Sequence, residues 1–411
     1  MFDLPARPFT NMPTKPFRPL VCALLLLGGC ASYDVRSVDE QPAERLAVDT
    51  PEQYLLDVAI EIFDPDLEGI PEDDETTFAA VRSAESIWVA QRLKESLQAS
   101  NAWGAVRIAP DDQVIMDLQL AGKILQSDGE TLALQVRAVD QTGRVWLEQN
   151  YQQQVSKYAY DLTQREREPF RSMYNQIAND LLRQLQATEL AQREALRAVS
   201  AMRFAQSFSP AAFDQYLERD EEGLAQLVRL PAAGDPLLAR VQAIQSRDQL
   251  FVDLLQDYYQ GFAANMHDPY REWRAQSYRE TQLIEDLENS ARRRRLIGWL
   301  AIIAGTAAAV EGNEYYRAAG TVGILAGSEQ ISVSFEQREE AKLHIATLSE
   351  LGESLEAELA PSVVELQDRT ITLTGTVRDQ YAQWRVLLAD MYYAETGYPR
   401  PDTANLPPAS R

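Results

Sequence analysis

The chain has little cysteine, little histidine and a deficit of positive charge. Its 411 residues include 2 Cys and 2 His, so a zinc site built from these ligands, a disulfide framework and most histidine-based catalysis are nearly excluded. Against 62 Asp and Glu there are 39 Lys and Arg, and the formal net charge of −23 would repel a phosphate backbone. We therefore expect no nucleic acid among its partners.

Motifs of catalysis are missing as well. The patterns G-x-S-x-G, G-x-G-x-x-G and the P-loop do not occur, and His267 and His344 lie in no H-E-x-x-H motif. The acids of 64–75 are spaced like calcium ligands, but Pro71 and the strand-like sequence before them favour a solvated acidic loop. These observations predict a protein that is not an enzyme, with no catalytic residue, no cofactor and no metal site.

Residues 1–29 have the composition of a secretion signal. A basic segment precedes the short apolar run 20–27, which is less than half the length that a membrane-spanning helix needs. Translation from Met1 and translation from Met12 both leave a signal of acceptable length, so both starts stay open.

The motif that follows the apolar run is Leu27-Gly28-Gly29-Cys30, which resembles the lipobox of bacterial lipoproteins. The resemblance implies cleavage before Cys30 and lipidation of this residue with acyl chains such as palmitate, which would anchor the chain stably in a membrane. In lipoproteins of this kind, Ala31 after the cysteine favours the outer membrane, and the expected location is its periplasmic face. Residues 30–50 lack hydrophobic periodicity and read as a tether to the folded body.

A small α+β domain is predicted for residues 51–158. Alternating apolar residues mark five strands, and a segment of helical periodicity at 78–100 lies between the first strand and the second. The order β-α-β-β-β-β predicts a small antiparallel sheet with one covering helix.

This region resembles the core of the ABC-transporter auxiliary lipoproteins, and is similar to the curli-secretion lipoprotein and the penicillin-binding-protein activators. The matching positions lie in the strands that follow the helix and in their last turn: Trp103, Val106, Leu120, Gly122, Ile124, Asp140, Gly143 and Trp146. The resemblance covers about a quarter of the chain. It implies a fold rather than a reaction, because fold alone does not carry function.

A larger, mostly α-helical domain is predicted for residues 159–398. Asp235-Pro236 and Asp268-Pro269 each place a capping residue before a proline, so each predicts the start of a helix. A β-hairpin is predicted at 363–377, and the proline-rich tail 399–411 is predicted to be disordered.

The segment 296–328 is predicted to form a hydrophobic, Gly-rich helical hairpin. Its apolar stretches are shorter than a usual membrane span and are interrupted by charged residues, which favours a buried hairpin over membrane insertion. Both alternatives stay open. Four arginines directly before it are candidates for contact with a membrane or a partner: Arg292, Arg293, Arg294 and Arg295.

Together these features predict an outer-membrane lipoprotein that acts as a non-catalytic scaffold or accessory subunit of an envelope assembly or export machine. Its expected partners are the membrane, through the lipid anchor, and an envelope protein that the sequence does not identify. Homo-oligomerisation stays open. The alternatives are an activator of a peptidoglycan-synthesising enzyme and a protein that inserts the Gly-rich hairpin into a membrane.

Overall fold

The structure is a computed structural model that describes residues 41–46, 50–70, 78–308, 346–347, 349–350, 362–366 and 369–397. For residues 80, 162, 280, 283–308, 362–366 and 369–370 it describes the backbone only. The predicted signal peptide 1–29, Cys30, the tail 399–411 and the hairpin beyond residue 308 lie outside the described residues.

The fold begins with a five-stranded sheet of mixed direction. Its strands are β1 (Val58–Glu61), β2 (Val106–Ala109), β3 (Leu118–Ser127), β4 (Thr131–Asp140) and β5 (Val145–Gln154), in the spatial order β2-β1-β3-β4-β5. Strands β3, β4 and β5 form an antiparallel meander, whose last turn contains Gly143 in the left-handed conformation at φ +97°.

The predicted all-antiparallel arrangement is wrong at β1, which pairs in parallel with both β2 and β3. The cause is helix α1 (Ala79–Ala99), which carries the chain from β1 across the sheet, so that β2 starts at the same end as β1. A central strand with two parallel neighbours is buried on both faces, and Val58, Ala59 and Ile60 are indeed inaccessible to solvent.

Helices cover one face and one end of this sheet. Helix α2 (Arg171–Ala187) packs beside α1 and against β5, and is followed by α3 (Leu190–Phe208) and the short α4 (Pro210–Phe213). Two short strands, β6 (Leu217–Arg219) and β7 (Ala225–Leu227), then form an antiparallel pair.

Helix α5 (Pro236–Ala308) is the longest element, with 73 residues and a length of about 110 Å. It begins at the predicted Asp235-Pro236 cap. The predicted restart at Asp268-Pro269 is wrong, because Pro269 lies inside this helix. An internal proline removes one backbone hydrogen bond, at a cost of about 3 kcal/mol. The buried side chains Met266, Tyr270 and Trp273 on either side pack into the body and hold the helix continuous.

The C-terminal part contains a hairpin and a helix. Strands β8 (Ser362–Leu366) and β9 (Arg369–Leu373) pair antiparallel. They form the hairpin that the sequence predicts at 363–377, and it begins one residue earlier than predicted. Helix α6 (Val377–Thr396) follows, with a capping box in which Thr376 and Asp379 bond each other's backbone N–H groups. It packs against α5.

A single hydrophobic core joins these parts. It contains buried residues of the sheet, of α1, α2 and α3, and of α5 and α6, so it includes residues on both sides of position 158. The fold is therefore a mixed sheet with helices, followed by a helical C-terminal region.

Two carboxylates connect the amino ends of the parallel strands. The Asp57 backbone N–H donates to Asp117 Oδ2 at 2.9 Å, and Asp57 Oδ1 accepts from the Ala105 N–H at 2.7 Å. Burial, together with the charge of Asp57, raises the pKa of Asp117 from 3.8 to about 6, although its hydrogen bonds oppose this change. Between about pH 4 and pH 6, Asp117 is therefore protonated in the folded protein and ionised in the unfolded chain.

This shift predicts a stability that falls as the pH rises. The contribution of Asp117 to the free energy of unfolding is fully present below pH 3.8 and is lost as the pH rises through about 6. The free energy of unfolding falls by about 3 kcal/mol over this range. We expect Asp117→Asn to raise the free energy of unfolding at pH 8 and to flatten its slope between pH 4 and 7. Urea unfolding at several pH values measures this, with exposed Asp257→Asn as the control. Equal slopes in wild type and Asp117→Asn would contradict the assignment.

Candidate functional site

A cleft of about 790 Å³ lies at the carboxyl ends of β1 and β2. Residues that directly follow these strands line it, including Phe63 and Pro110. Ligands of sheets with parallel strands bind outside the carboxyl ends of the strands, where helices and loops diverge. The position of the cleft is therefore a consequence of the parallel pairing of β1, which the sequence did not predict.

The wall of the cleft is aromatic and apolar. It is formed by Phe63 after β1, Ile87 of α1, Tyr258 and Tyr259 of α5, and Val377 at the start of α6. Phe63 lies against β3 at Gly122, where a Cβ atom would collide with the ring. Gly122, which the sequence resemblance singled out, thus leaves the space that the Phe63 ring occupies.

The rim of the cleft is acidic. Glu61 at the end of β1 faces Asp111 and Asp112, which line an adjoining cavity of about 360 Å³. Burial, then the charge of Asp112, raises the pKa of Glu61, and burial with Asp112 also raises the pKa of Asp111. Arg378 of α6 lines both cavities and lowers the pKa of Asp111. Arg378 is therefore the cation that offsets part of the repulsion between these carboxylates.

The acidic loop after β1 contributes to the same surface. Asp66 has a left-handed backbone (φ 50°) and pairs with Lys123 of β3 at 2.8 Å, while Asp64 accepts the Asp66 N–H. Residues 71–75 of the predicted loop lie outside the described residues. Among the residues that are described, no group of three His, Cys, Asp or Glu side chains could hold a metal ion.

The residues that the sequence singled out do not gather in this cleft. His267 is half-buried on α5, its Nδ1 lies 3.0 Å from Asp268 Oδ1, and its ring lies 6.1 Å from that of Trp88. His267 therefore makes local contacts at the surface of α5, whereas His344 lies outside the described residues. Arg292 to Arg295 belong to the continuous backbone of α5, and their side chains are not described.

A buried cluster of charged residues joins α5 to α1 and to the segment before α2. Arg274 of α5 is 1% exposed and donates to Glu168 at 2.5 Å, and its guanidinium lies 3.9 Å from the centre of the Tyr270 ring. Glu85 of α1, also 1% exposed, pairs with Arg82 at 3.2 Å and accepts the Tyr270 hydroxyl at 2.6 Å. Burial raises the pKa of Glu85 despite the nearby arginines.

Sequence reasoning missed this cluster, and the signal that could have revealed it is weak. Arginine and glutamate are rarely buried unless they are paired. Arg274 stands between the apolar residues of α5 at helical spacing, so it occupies the buried stripe rather than the solvent face. The residues of this cluster bond to one another across three elements, and such paired buried charges hold the elements in one arrangement.

The cleft has the composition of a binding site. Its aromatic wall suits an apolar side chain. The adjoining cavity places three carboxylates beside Arg378, and Lys123 and Arg137 also line the cleft. Among the described helices, none has a stretch both long enough and apolar enough to cross a membrane. Comparisons of the chain with protein-family models, with curated proteins and with solved structures give no match.

Proposed function

We propose that this protein is a lipid-anchored lipoprotein on the periplasmic face of the outer membrane, where it acts as a non-catalytic scaffold or accessory subunit of an envelope assembly or export machine. The lipobox-like sequence that ends at Cys30 supports the anchor. The resemblance of residues 54–158 to auxiliary lipoproteins of the envelope supports the accessory role.

The observation that carries the binding role is the cleft at the carboxyl ends of β1 and β2. It joins an aromatic wall to a charged rim, the composition that protein interfaces use for anchoring and for selectivity. Its walls come from α1, α5 and α6 as well as from the sheet, so they are fixed by the core on several sides. A preformed, rigid cleft suits a subunit that holds a segment of another protein.

The anchor is tested by labelling cells with a palmitate analogue and fractionating their membranes. We expect the wild type to be labelled and to remain with the outer membrane, and Cys30→Ala to lose the label. An unlabelled wild type would contradict the proposal.

The cleft is tested by purifying the acylated protein from membranes in mild detergent and identifying the proteins that accompany it. We expect Arg378→Glu, which reverses the cation at the rim, to reduce the recovered partner about tenfold. Arg229→Glu is the matched control, because Arg229 is also exposed but lies outside the cleft. Equal recovery with both variants would contradict a role for the cleft.

The identity of the partner separates the scaffold proposal from its alternative. A transporter or secretion component supports an export or assembly machine, whereas a cell-wall synthase supports the activator of a peptidoglycan-synthesising enzyme.

Membrane insertion by 296–328 is a further candidate. Helix α5 is continuous from the folded body through Arg292 to Ala308, so the arginine run and the first apolar stretch belong to one helix, and this supports insertion. Carbonate extraction of Cys30→Ala tests it: a variant that is fully released rules out insertion, and one that stays in the membrane supports it.

A further inference from the structure

Strand β5 ends the sheet, and no described strand pairs with its outer side. It has ten residues, Val145 to Gln154, and Glu148 is its sole charged residue. Proteins normally protect a long edge strand with lysine, proline or a short length, because unpaired backbone groups bind any other strand that approaches. Strand β5 contains neither lysine nor proline, and its one bulge, at Trp146, lies near its start and leaves Glu148 to Gln154 in regular register.

The register identifies the backbone groups that point away from the sheet. Val155 donates its N–H to Glu130 at 2.8 Å, directly after the pair Thr131–Gln154. In an antiparallel pair, hydrogen-bonded positions alternate with positions whose groups point outward. The N–H and C=O of Glu148, Asn150 and Gln152 therefore point away from β4, and all three residues are exposed.

We propose that β5 is the docking edge for a second copy of this chain, which pairs with it antiparallel about a two-fold axis at Asn150. In this register Asn150 lies opposite Asn150 of the other copy, and Glu148 lies opposite Gln152. Every outward-pointing residue then meets another outward-pointing residue, so their N–H and C=O groups bond reciprocally, as an isologous interface requires. The two sheets become one continuous sheet.

The charges at this edge do not oppose a second copy. The chain has a formal net charge of −23, so two copies repel each other over most of their surfaces. The edge is an exception, because Glu148 is compensated by Arg137 on the neighbouring strand at 3.5 Å. With the axis at Asn150, each Glu148 faces an uncharged amide and no like charges lie opposite each other.

The register makes a specific electrostatic prediction for position 152. Gln152→Lys places a cation opposite Glu148 of the other copy, twice per dimer, and Gln152→Glu places like charges there. Opposite charges stabilise a directly opposed cross-strand pair and like charges destabilise it. We expect the dimer dissociation constant of Gln152→Lys to be at least about tenfold lower than that of Gln152→Glu, with wild type between them. Sedimentation velocity of the full chain in density-matched detergent measures these constants.

Two controls distinguish an effect at the edge of β5 from an effect of the net charge of the chain. Gln98→Lys and Gln98→Glu make the same changes of charge at an exposed position of α1 and should leave the dissociation constant within about twofold of wild type. Asn150→Pro should abolish the dimer, because proline lacks the N–H that would bond the other copy. The fold should remain, because the Asn150 N–H points away from β4. A circular dichroism spectrum like that of wild type verifies the fold. A wild type that stays monomeric at all concentrations, or equal effects at positions 98 and 152, would overturn the proposal.

Discussion

Replacing Arg274 with alanine is expected to lower the free energy of unfolding by about 3–5 kcal/mol. Arg274 is 1% exposed and lies between the rings of Tyr270 and Phe170, while its guanidinium neutralises Glu168, whose side chain is 11% exposed. Removal of the cation leaves Glu168 largely buried without its partner and leaves an empty space between two aromatic rings. Both effects destabilise the folded state, and the first is the larger.

A second substitution separates charge from packing at this site. Arg274→Met keeps most of the volume and the contact with Tyr270 but removes the cation. We expect it to be nearly as unstable as Arg274→Ala, because the cost comes from the uncompensated Glu168.

Chemical unfolding at pH 7 measures both variants. Arg279→Ala is the control on the exposed side of the same helix, with an expected change within about 0.5 kcal/mol. If Arg274→Met were as stable as wild type, the role of Arg274 would be packing alone.

Replacing Gly129 with alanine is expected to cost about 2–5 kcal/mol. Gly129 forms the turn between β3 and β4 with φ +81°, a conformation that costs a residue with a side chain about 1–2 kcal/mol. The turn also lies directly on the backbone of α5. A Cβ atom at 129 would collide with the carbonyl oxygen of Arg274 and would lie 2.8 Å from the backbone nitrogen of Tyr278. Backbone atoms cannot move aside as a flexible side chain can, so overpacking adds about 1–3 kcal/mol.

Gly223→Ala is the matched control for Gly129→Ala. Gly223 has almost the same backbone conformation, φ +84°, but nothing lies within 4 Å of a Cβ atom built there. The control therefore measures the conformational cost alone, and the difference between the two variants measures the close approach of the turn to α5. Thermal unfolding of both variants gives this difference. Equal losses of stability would mean that the turn and α5 are not in direct contact.

The local elements of this fold could be predicted from the sequence because their signals are local. The turn at Asp140–Gly143, the start of α5 after Asp235 and the capping of α6 each depend on residues a few positions apart. Pro269 shows the limit of such signals. Its sequence context is that of a helix start, yet buried neighbours in α5 override it.

The cleft could not be predicted, for a topological reason. Its residues come from β1, α1, α5 and α6, which are up to about three hundred positions apart in the chain. Glu61 reads in the sequence as an ordinary polar residue of a strand, and Tyr259 as an ordinary residue of an apolar helical stripe. They line one cleft because β1 is the central strand of the sheet and α5 crosses its end.

The sequence by itself determined where most helices, strands and turns lie, and it contains the lipobox-like segment on which the proposed membrane anchor rests. These features are encoded in periodicity, capping residues and short motifs, which act over a few residues. Only the tertiary structure decided that β1 is parallel to both its neighbours, that Arg274 and Glu85 are buried together, and that β5 ends the sheet. Those outcomes depend on which distant surfaces exclude water from each other, and a local pattern carries no information about its distant partner.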